Sequence, residues 1–225
     1  MIRAILFDLD DTLYPECEFA LGGYRGVARA AAANGKCAYE EAFDLMQNVF
    51  LTSNRKEVFP CLLERFPELD MTLEDMVRVY REHVPEIGLL PGYRELLEEL
   101  GKIYRMGIIT DGLPAVQRGK VAALGIDRLF NKIIYSWDYG KERQKPHIYP
   151  FALILEALRI PPQSAVFVGD NPEKDGLGAR GAGMCYVRVT TPSNLTPSSD
   201  FSDEIVIENL LRLPQVLVEL NRILQ

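Results

Sequence analysis

The sequence is poor in the residues that build metal-thiolate clusters and disulfide scaffolds. Four cysteines, at positions 17, 37, 61 and 185, form no CxxC pair, and only two histidines accompany them. That leaves no ligand set for a zinc cluster and no disulfide framework. Scattered thiols of this kind are expected to stay reduced, as they do in the cytoplasm. Long apolar runs are missing too: none approaches the roughly 18 residues that a membrane span requires. The opening "IRAILF" meets a charge at Asp8 too early for the apolar region of a signal peptide. Basic residues are outnumbered by acidic ones, 25 to 32, for a net charge of -7. Such a balance disfavours binding driven by a nucleic-acid backbone. No internal repeat is visible, and the expectation that remains is a cytoplasmic protein handling a small molecule.

What the sequence does have is apolar material for a substantial core, 48% of its residues, and a regular rhythm. Runs at 2–7 (IRAILF), 104–109 (YRMGII), 132–135 (KIIY), 165–168 (AVFV) and 184–189 (MCYVRV) are continuous rather than alternating, which predicts strands covered on both faces. Between them, "PGYRELLEELG", "LPAVQRGKVAALG" and "PFALILEAL" have helical spacing. In the first, Pro91 precedes the opening turn, Leu96, Leu97 and Leu100 share a side, and Gly101 is placed to act as a left-handed cap. Strands alternating with helices predict an α/β fold with a doubly wound, parallel-sheet, Rossmann-like core.

Residues 15–88 break that rhythm. They contain no convincing strand, but "TLEDMVRVYREHV" has an approximate capping box in Thr72 and Asp75 and a common face in Leu73, Met76, Val77, Tyr80 and Val84. "EEAFDLMQNVF" behaves similarly through Phe43, Met46 and Phe50. The reading is an all-helical cap over 15–88, inserted into a core made of 1–14 and 89–225. The stretch 190–200 (TTPSNLTPSSD) reads as a polar loop before a short strand (EIVI) and a C-terminal helix.

Ligands of an open α/β sheet sit outside the carboxyl ends of its strands, so residues there carry the chemical signal. The first strand runs into "DLDDT", placing Asp8, Asp10 and Asp11 together. The second ends at Thr110, followed by Asp111 and Gly112. "VFVGD" ends at Asp170, with Asp175 five residues on, and Lys145 precedes the helix of "PFALILEAL". Converging carboxylates repel one another unless a cation joins them. Mg²⁺ prefers oxygen ligands and takes one or two carboxylates plus a substrate phosphate. Asp8 and Asp170 are candidates for direct ligands, and Asp175 for a ligand acting directly or through water. A carboxylate also serves as a nucleophile, and Asp8 suits an aspartyl-phosphate mechanism in which Asp10 is the candidate acid and base. Lys145, the Thr110 hydroxyl and backbone N–H groups near Asp111 and Gly112 are candidates to hold the phosphoryl oxygens.

The ordered set "DLDDT", "IITDG", "KPHIYPFALILEAL" and "VGDNPEKDGLGARGAGM" resembles the haloacid dehalogenase superfamily, specifically its phosphatases with a helical cap after the first strand. With "LLPGYRELLEEL", the resemblance spans residues 2–190. It implies Asp8 as nucleophile and Mg²⁺ ligand, and Asp10 as acid/base that also gives the metal its backbone carbonyl. Thr110 and Lys145 would bind the phosphoryl group, and Asp170 and Asp175 the cation. The dehalogenase branch usually lacks the second aspartate of the first motif, so Asp10 favours phosphate chemistry. Asp111 stands where many relatives carry Asn, and its side chain is expected to point away from the phosphate. The spacer "GKERQ" makes Lys141 a minor competitor of Lys145. Glycines at 176, 178, 181 and 183 suggest close backbone packing after Asp175.

The implied substrate is a small phosphorylated metabolite: a sugar phosphate, phosphoglycolate, a nucleotide or an acylneuraminate phosphate. Arg25, Arg55 and Lys56 are candidate contacts to an anionic substrate, and Trp137 and Tyr139 candidate pocket walls. His147 reads as the start of a helix. Two alternatives stay open: a sugar-phosphate mutase on the same fold, and a phosphoaspartate signalling module. The oligomeric state is not legible.

Overall fold

A computed structural model describes residues 1–33, 35–190 and 204–223. Apart from Thr190, the polar loop expected over 190–200 lies outside these residues. The chain forms two compact units, Met1–Glu16 with Ile87–Gln225, and Cys17–Glu86.

The first unit is built on β1 (Ala4–Phe7), β2 (Arg105–Thr110), β3 (Lys132–Tyr135), β4 (Ala165–Gly169), β5 (Cys185–Val189) and β6 (Ile205–Ile207). They form one sheet in the order β3-β2-β1-β4-β5-β6, parallel throughout. The chain builds outward from β1 through β2 to β3, then returns to lay β4, β5 and β6 on the other side. The order therefore reverses at β1 and β4, where such sheets open a crevice. Every residue of β1 and β4 is buried, as cover on both faces requires. Phe7 pairs with Ile108 on one side and Val168 on the other, so the residues that follow these three positions emerge at the same level.

Helices α5 (Tyr93–Gly101), α6 (Pro114–Leu124), α7 (Ile148–Leu158), α8 (Leu177–Gly181) and α9 (Leu213–Ile223) complete this unit. Phe151, Ile154 and Leu155 of α7 and Ala179 of α8 share one core cluster with Leu6, Ile109 and Phe167 of the sheet. Helix α5 corrects one expectation. Leu97 and Leu100 are buried, but Gly101 lies within the helix and Lys102 caps it with right-handed geometry. The left-handed glycine is Gly92, at the N-cap with φ 79°. Gly125, after α6, does take the left-handed cap.

The second unit holds α1 (Glu16–Ala32), α2 (Tyr39–Thr52), α3 (Val58–Arg65) and α4 (Leu73–Glu82) around Tyr24, Val27, Met46, Phe50, Leu62 and Met76. The Thr72–Asp75 capping box of α4 is present in both directions. The face expected on α4 is shifted: Leu73 and Val84 are exposed, and Val79 joins Met76 and Tyr80 against the core. The helix stops at Glu82, so Val84 lies past the stripe. All four cysteines are free. Among the described residues, no helix is long and apolar enough to cross a membrane.

Candidate active site

The three aspartates of "DLDDT" leave the end of β1 in three directions, which is how the chain tolerates them side by side. Asp8 continues the ladder, its N–H donating to the Val168 carbonyl at 2.9 Å. Asp11 adopts a left-handed φ of 54° and accepts the Glu16 N–H at 2.8 Å; short side chains that bond locally are the non-glycine residues best suited to that conformation. The Asp10 carboxylate takes three partners. Lys120 Nζ and Tyr14 Oη donate to its Oδ1, at 2.6 and 2.5 Å, and Gln117 Nε2 donates to Oδ2 at 2.8 Å.

Asp8, Asp170 and Asp175 gather at the carboxyl end of the sheet, each buried, with one carboxylate oxygen apiece lying within 4.8 Å of the others. Asp170 follows β4 directly. Asp175 returns to the site through a wide turn over Pro172–Gly176, in which Gly176 N–H reaches back to Asn171 O at 3.3 Å. Its Oδ2 accepts the Asn171 N–H at 3.1 Å. The turn fits because residue 169 is glycine: a Cβ there would lie 2.3 Å from Asp175 Oδ2.

Lys145 is 4% exposed and bridges the cluster, its Nζ pairing with Asp8 Oδ1 and, at 2.7 Å, with Asp175 Oδ1. It also donates to the Ile109 carbonyl at 3.2 Å. Burial works against its charge, but Asp175, Asp8 and Asp111 outweigh burial and hold it well above the ordinary lysine range. Asp8 is pushed up by burial and by Asp175, Asp170 and Asp10, with Lys145 opposing. Asp10 differs: burial pushes it up, but the Lys120 charge and the hydrogen bonds from Lys120, Tyr14 and Gln117 prevail and lower it.

Thr110 is fully buried at the end of β2 and accepts from Gln117 Nε2 at 2.5 Å. Asp111 Oδ1 accepts from Ser136 Oγ at 2.6 Å and from the Lys145 N–H at 3.2 Å. Its carboxylate thus anchors the loop that presents Lys145. Gly112 follows with φ 123°. Lys141 is exposed and lies over the Trp137 ring at 5.1 Å, so Lys145 is the lysine in the cluster. Trp137 donates to Gln144 Oε1 at 2.9 Å, and Tyr139 packs against the core of the first unit. His147 caps α7, accepting the Tyr149 N–H. In the helical unit, Arg25 lies over the Phe43 ring and Arg55 over Phe50, and Lys56 is exposed.

Tyr14, Gln117 and Lys120 were not legible as site residues. A signal for two of them existed in α6, whose buried residues are Gln117, Lys120, Val121 and Leu124. These occupy positions i, i+3, i+4 and i+7, so two polar side chains interrupt an apolar stripe. Polar groups buried in this way need partners, and here the partners are Asp10 and Thr110.

The cluster gathers three buried carboxyl groups, two of them paired with the Lys145 ammonium, and a hard cation would favour their ionised forms against burial. All three donors are carboxylate oxygens, the type that such a cation prefers. A parallel sheet carrying this constellation at its reversal point defines an α/β enzyme with a carboxylate-rich centre. The chain belongs to the haloacid dehalogenase-like hydrolases, whose family model matches residues 2–183.

It is 33% identical over 204 residues to a glyceraldehyde 3-phosphate phosphatase of Methanopyrus kandleri, with 84% of each chain covered. A protein of the same name from Methanocaldococcus jannaschii is 28% identical over 234 residues, covering 99% of this chain and 100% of that one. Among solved structures, a haloacid dehalogenase-superfamily hydrolase from Geobacter sulfurreducens shares the fold with a TM-score of 0.69, at 24% identity and 96% coverage of each chain.

Proposed function

We propose that this hydrolase is a Mg²⁺-dependent phosphatase that releases phosphate from a small phosphorylated metabolite through an aspartyl-phosphate intermediate. The observation that carries the reading is the buried grouping of Asp8, Asp170 and Asp175, with Lys145 paired to Asp8 and Asp175. Asp8, Asp170 and Asp175 would hold the metal, with the Asp10 backbone carbonyl. When bound, Mg²⁺ supplies charge that neutralises the phosphoryl group and draws down the raised Asp8 carboxyl.

Asp8 attacks phosphorus and the ester oxygen departs; water then attacks the acyl phosphate and returns Asp8 to its free state. Lys145, Thr110 and the backbone N–H groups of Asp111 and Gly112 orient the phosphoryl oxygens. Asp10 serves as acid toward the leaving oxygen and as base toward the water. Its partners favour the ionised carboxylate, the form required of the base; the acid step requires a proton to arrive on Asp10 before the ester oxygen leaves.

The relatives named glyceraldehyde 3-phosphate phosphatase direct the substrate search to triose and other sugar phosphates. In this reading the helical unit is the inserted cap, Arg25, Arg55 and Lys56 are candidate substrate contacts, and the enzyme works in the cytoplasm with its thiols reduced. The test is phosphate release from an aryl phosphate and from a panel of sugar phosphates that includes glyceraldehyde 3-phosphate. Turnover should require Mg²⁺, stop with EDTA and vanish in Asp8→Asn. Asp10→Asn should lose most turnover while still binding Mg²⁺. Normal turnover by Asp8→Asn would overturn the proposed nucleophile.

A further inference from the structure

We infer that Gln117 is a positioning residue that fixes the direction of the Thr110 hydroxyl proton and ties Thr110 to Asp10. The inference rests on the phosphatase reading above. Gln117 is 2% exposed and sits one helical turn before Lys120, itself 3% exposed. Its Nε2 lies 2.8 Å from Asp10 Oδ2 and 2.5 Å from Thr110 Oγ1, so one amide nitrogen spans both groups.

Hydrogen-bond chemistry fixes which atom points where. Lys120 Nζ and Tyr14 Oη both converge on Asp10 Oδ1, an arrangement that suits an ionised carboxylate, which accepts only. The Gln117 amide must therefore present its NH₂ group; the flipped amide would set two acceptor oxygens against each other. One amide proton goes to Asp10 and the other to Thr110 Oγ1.

A threonine hydroxyl has one proton and two lone pairs, and an amide nitrogen does not accept. Thr110 therefore accepts from Gln117, and its own proton is left to point elsewhere. In the phosphatase that direction is toward a phosphoryl oxygen, which accepts only. Gln117 thus makes Thr110 a donor to substrate before substrate arrives, so no hydroxyl reorientation is needed during the reaction. Helix α6, which carries both Gln117 and Lys120, aligns two members of the site without touching the phosphoryl group.

The test is a double-mutant cycle on kcat/KM with Gln117→Met, which keeps the length of the side chain but neither donates nor fixes the hydroxyl, and Thr110→Val. Gln117→Met alone should lower kcat/KM roughly tenfold, the scale of one misdirected hydrogen bond. In the Thr110→Val background it should cost at least about threefold less than in the wild type, because the hydroxyl is gone and only the bond to Asp10 is left to lose. An equal loss in both backgrounds would overturn the inference by showing that Gln117 does not act through the Thr110 hydroxyl.

A second readout needs neither turnover nor a folded Gln117 variant. By NMR with selective glutamine labelling, both Gln117 side-chain amide protons should exchange slowly with water, and Thr110→Val should shift one of the two. Fast exchange of both protons, or no shift on Thr110→Val, would overturn the inference. If the wild type shows the amide signature but releases no phosphate from any monoester in Mg²⁺, it is the phosphatase reading that fails, and the role of the Thr110 proton toward substrate falls with it.

Discussion

Replacing Lys145 with methionine tests the charge balance of the site through stability alone. Methionine keeps most of the apolar stem but leaves Asp8, Asp170 and Asp175 without the buried ammonium that pairs with two of them. Removing one partner of a buried ion pair costs about 3–5 kcal/mol. In a protein of this size each kcal/mol corresponds to about 2–4 °C, so the melting temperature in EDTA should fall by roughly 6–20 °C.

The deficit should also depend on pH, with a sign fixed by Asp8. That carboxyl is already raised, by burial first and then by the neighbouring carboxylates, and Lys145 is what opposes the rise. Without Lys145 it rises further. A carboxyl whose folded value exceeds its unfolded one stabilises the fold at acid pH and loses that contribution as pH climbs through the raised value. The variant's deficit should therefore be larger at pH 8 than at pH 5, and Mg²⁺ should shrink it, since carboxylates relieved of a competing ammonium bind the cation more tightly than in the wild type and a ligand of the folded state stabilises by mass action. Thermal unfolding at the two pH values, with EDTA and with MgCl₂, reads all of this. A deficit below about 0.5 kcal/mol at pH 8 in EDTA, on the scale of ordinary surface substitutions, would refute the reasoning. So would a deficit indifferent to Mg²⁺.

The metal-free wild type should itself lose stability relative to Asp8→Asn as pH rises from 5 to 8, because asparagine cannot titrate, and Mg²⁺ should reverse their order; parallel melting curves in EDTA would contradict the raised Asp8. A Cβ at Gly178 would lie 2.3 Å from the Phe151 ring, whereas Gly181 meets nothing within 4 Å. Gly178→Ala should cost about 1–3 kcal/mol by overpacking, and Gly181→Ala should gain up to about 1 kcal/mol from helix propensity. Urea denaturation midpoints that moved together would show that packing does not distinguish the two sites.

The strands were legible because β1 and β4 are covered on both faces, which writes them as unbroken apolar runs. Asp8, Thr110 and Asp170 then fell at strand ends by counting, and the parallel register set those ends at one edge of the sheet. Lys145 and Asp175 reached the cluster through turns that periodicity does not encode: the Asp111 anchor on the Lys145 backbone, and the room that Gly169 leaves. Gly101 misled because a glycine after an apolar stripe resembles a cap, whereas the chain needed its left-handed residue at the entry of α5, at Gly92. Leu73 and Val84 misled at the ends of α4, where a spacing argument extends past the residues that are packed. Gln117 and Lys120 were missed because polar residues on a helix read as solvated until their partners are known. Of the glycines after Asp175, close packing explains Gly178 but not Gly181.

The central claim is that Asp8 takes the phosphoryl group from the substrate. Acid quenching during turnover of an aryl phosphate in Mg²⁺, followed by peptide mass analysis, tests it most directly. A phosphoryl group should appear on the peptide carrying Asp8 and be absent with EDTA and in Asp8→Asn. Full turnover with the label on another residue would contradict the account.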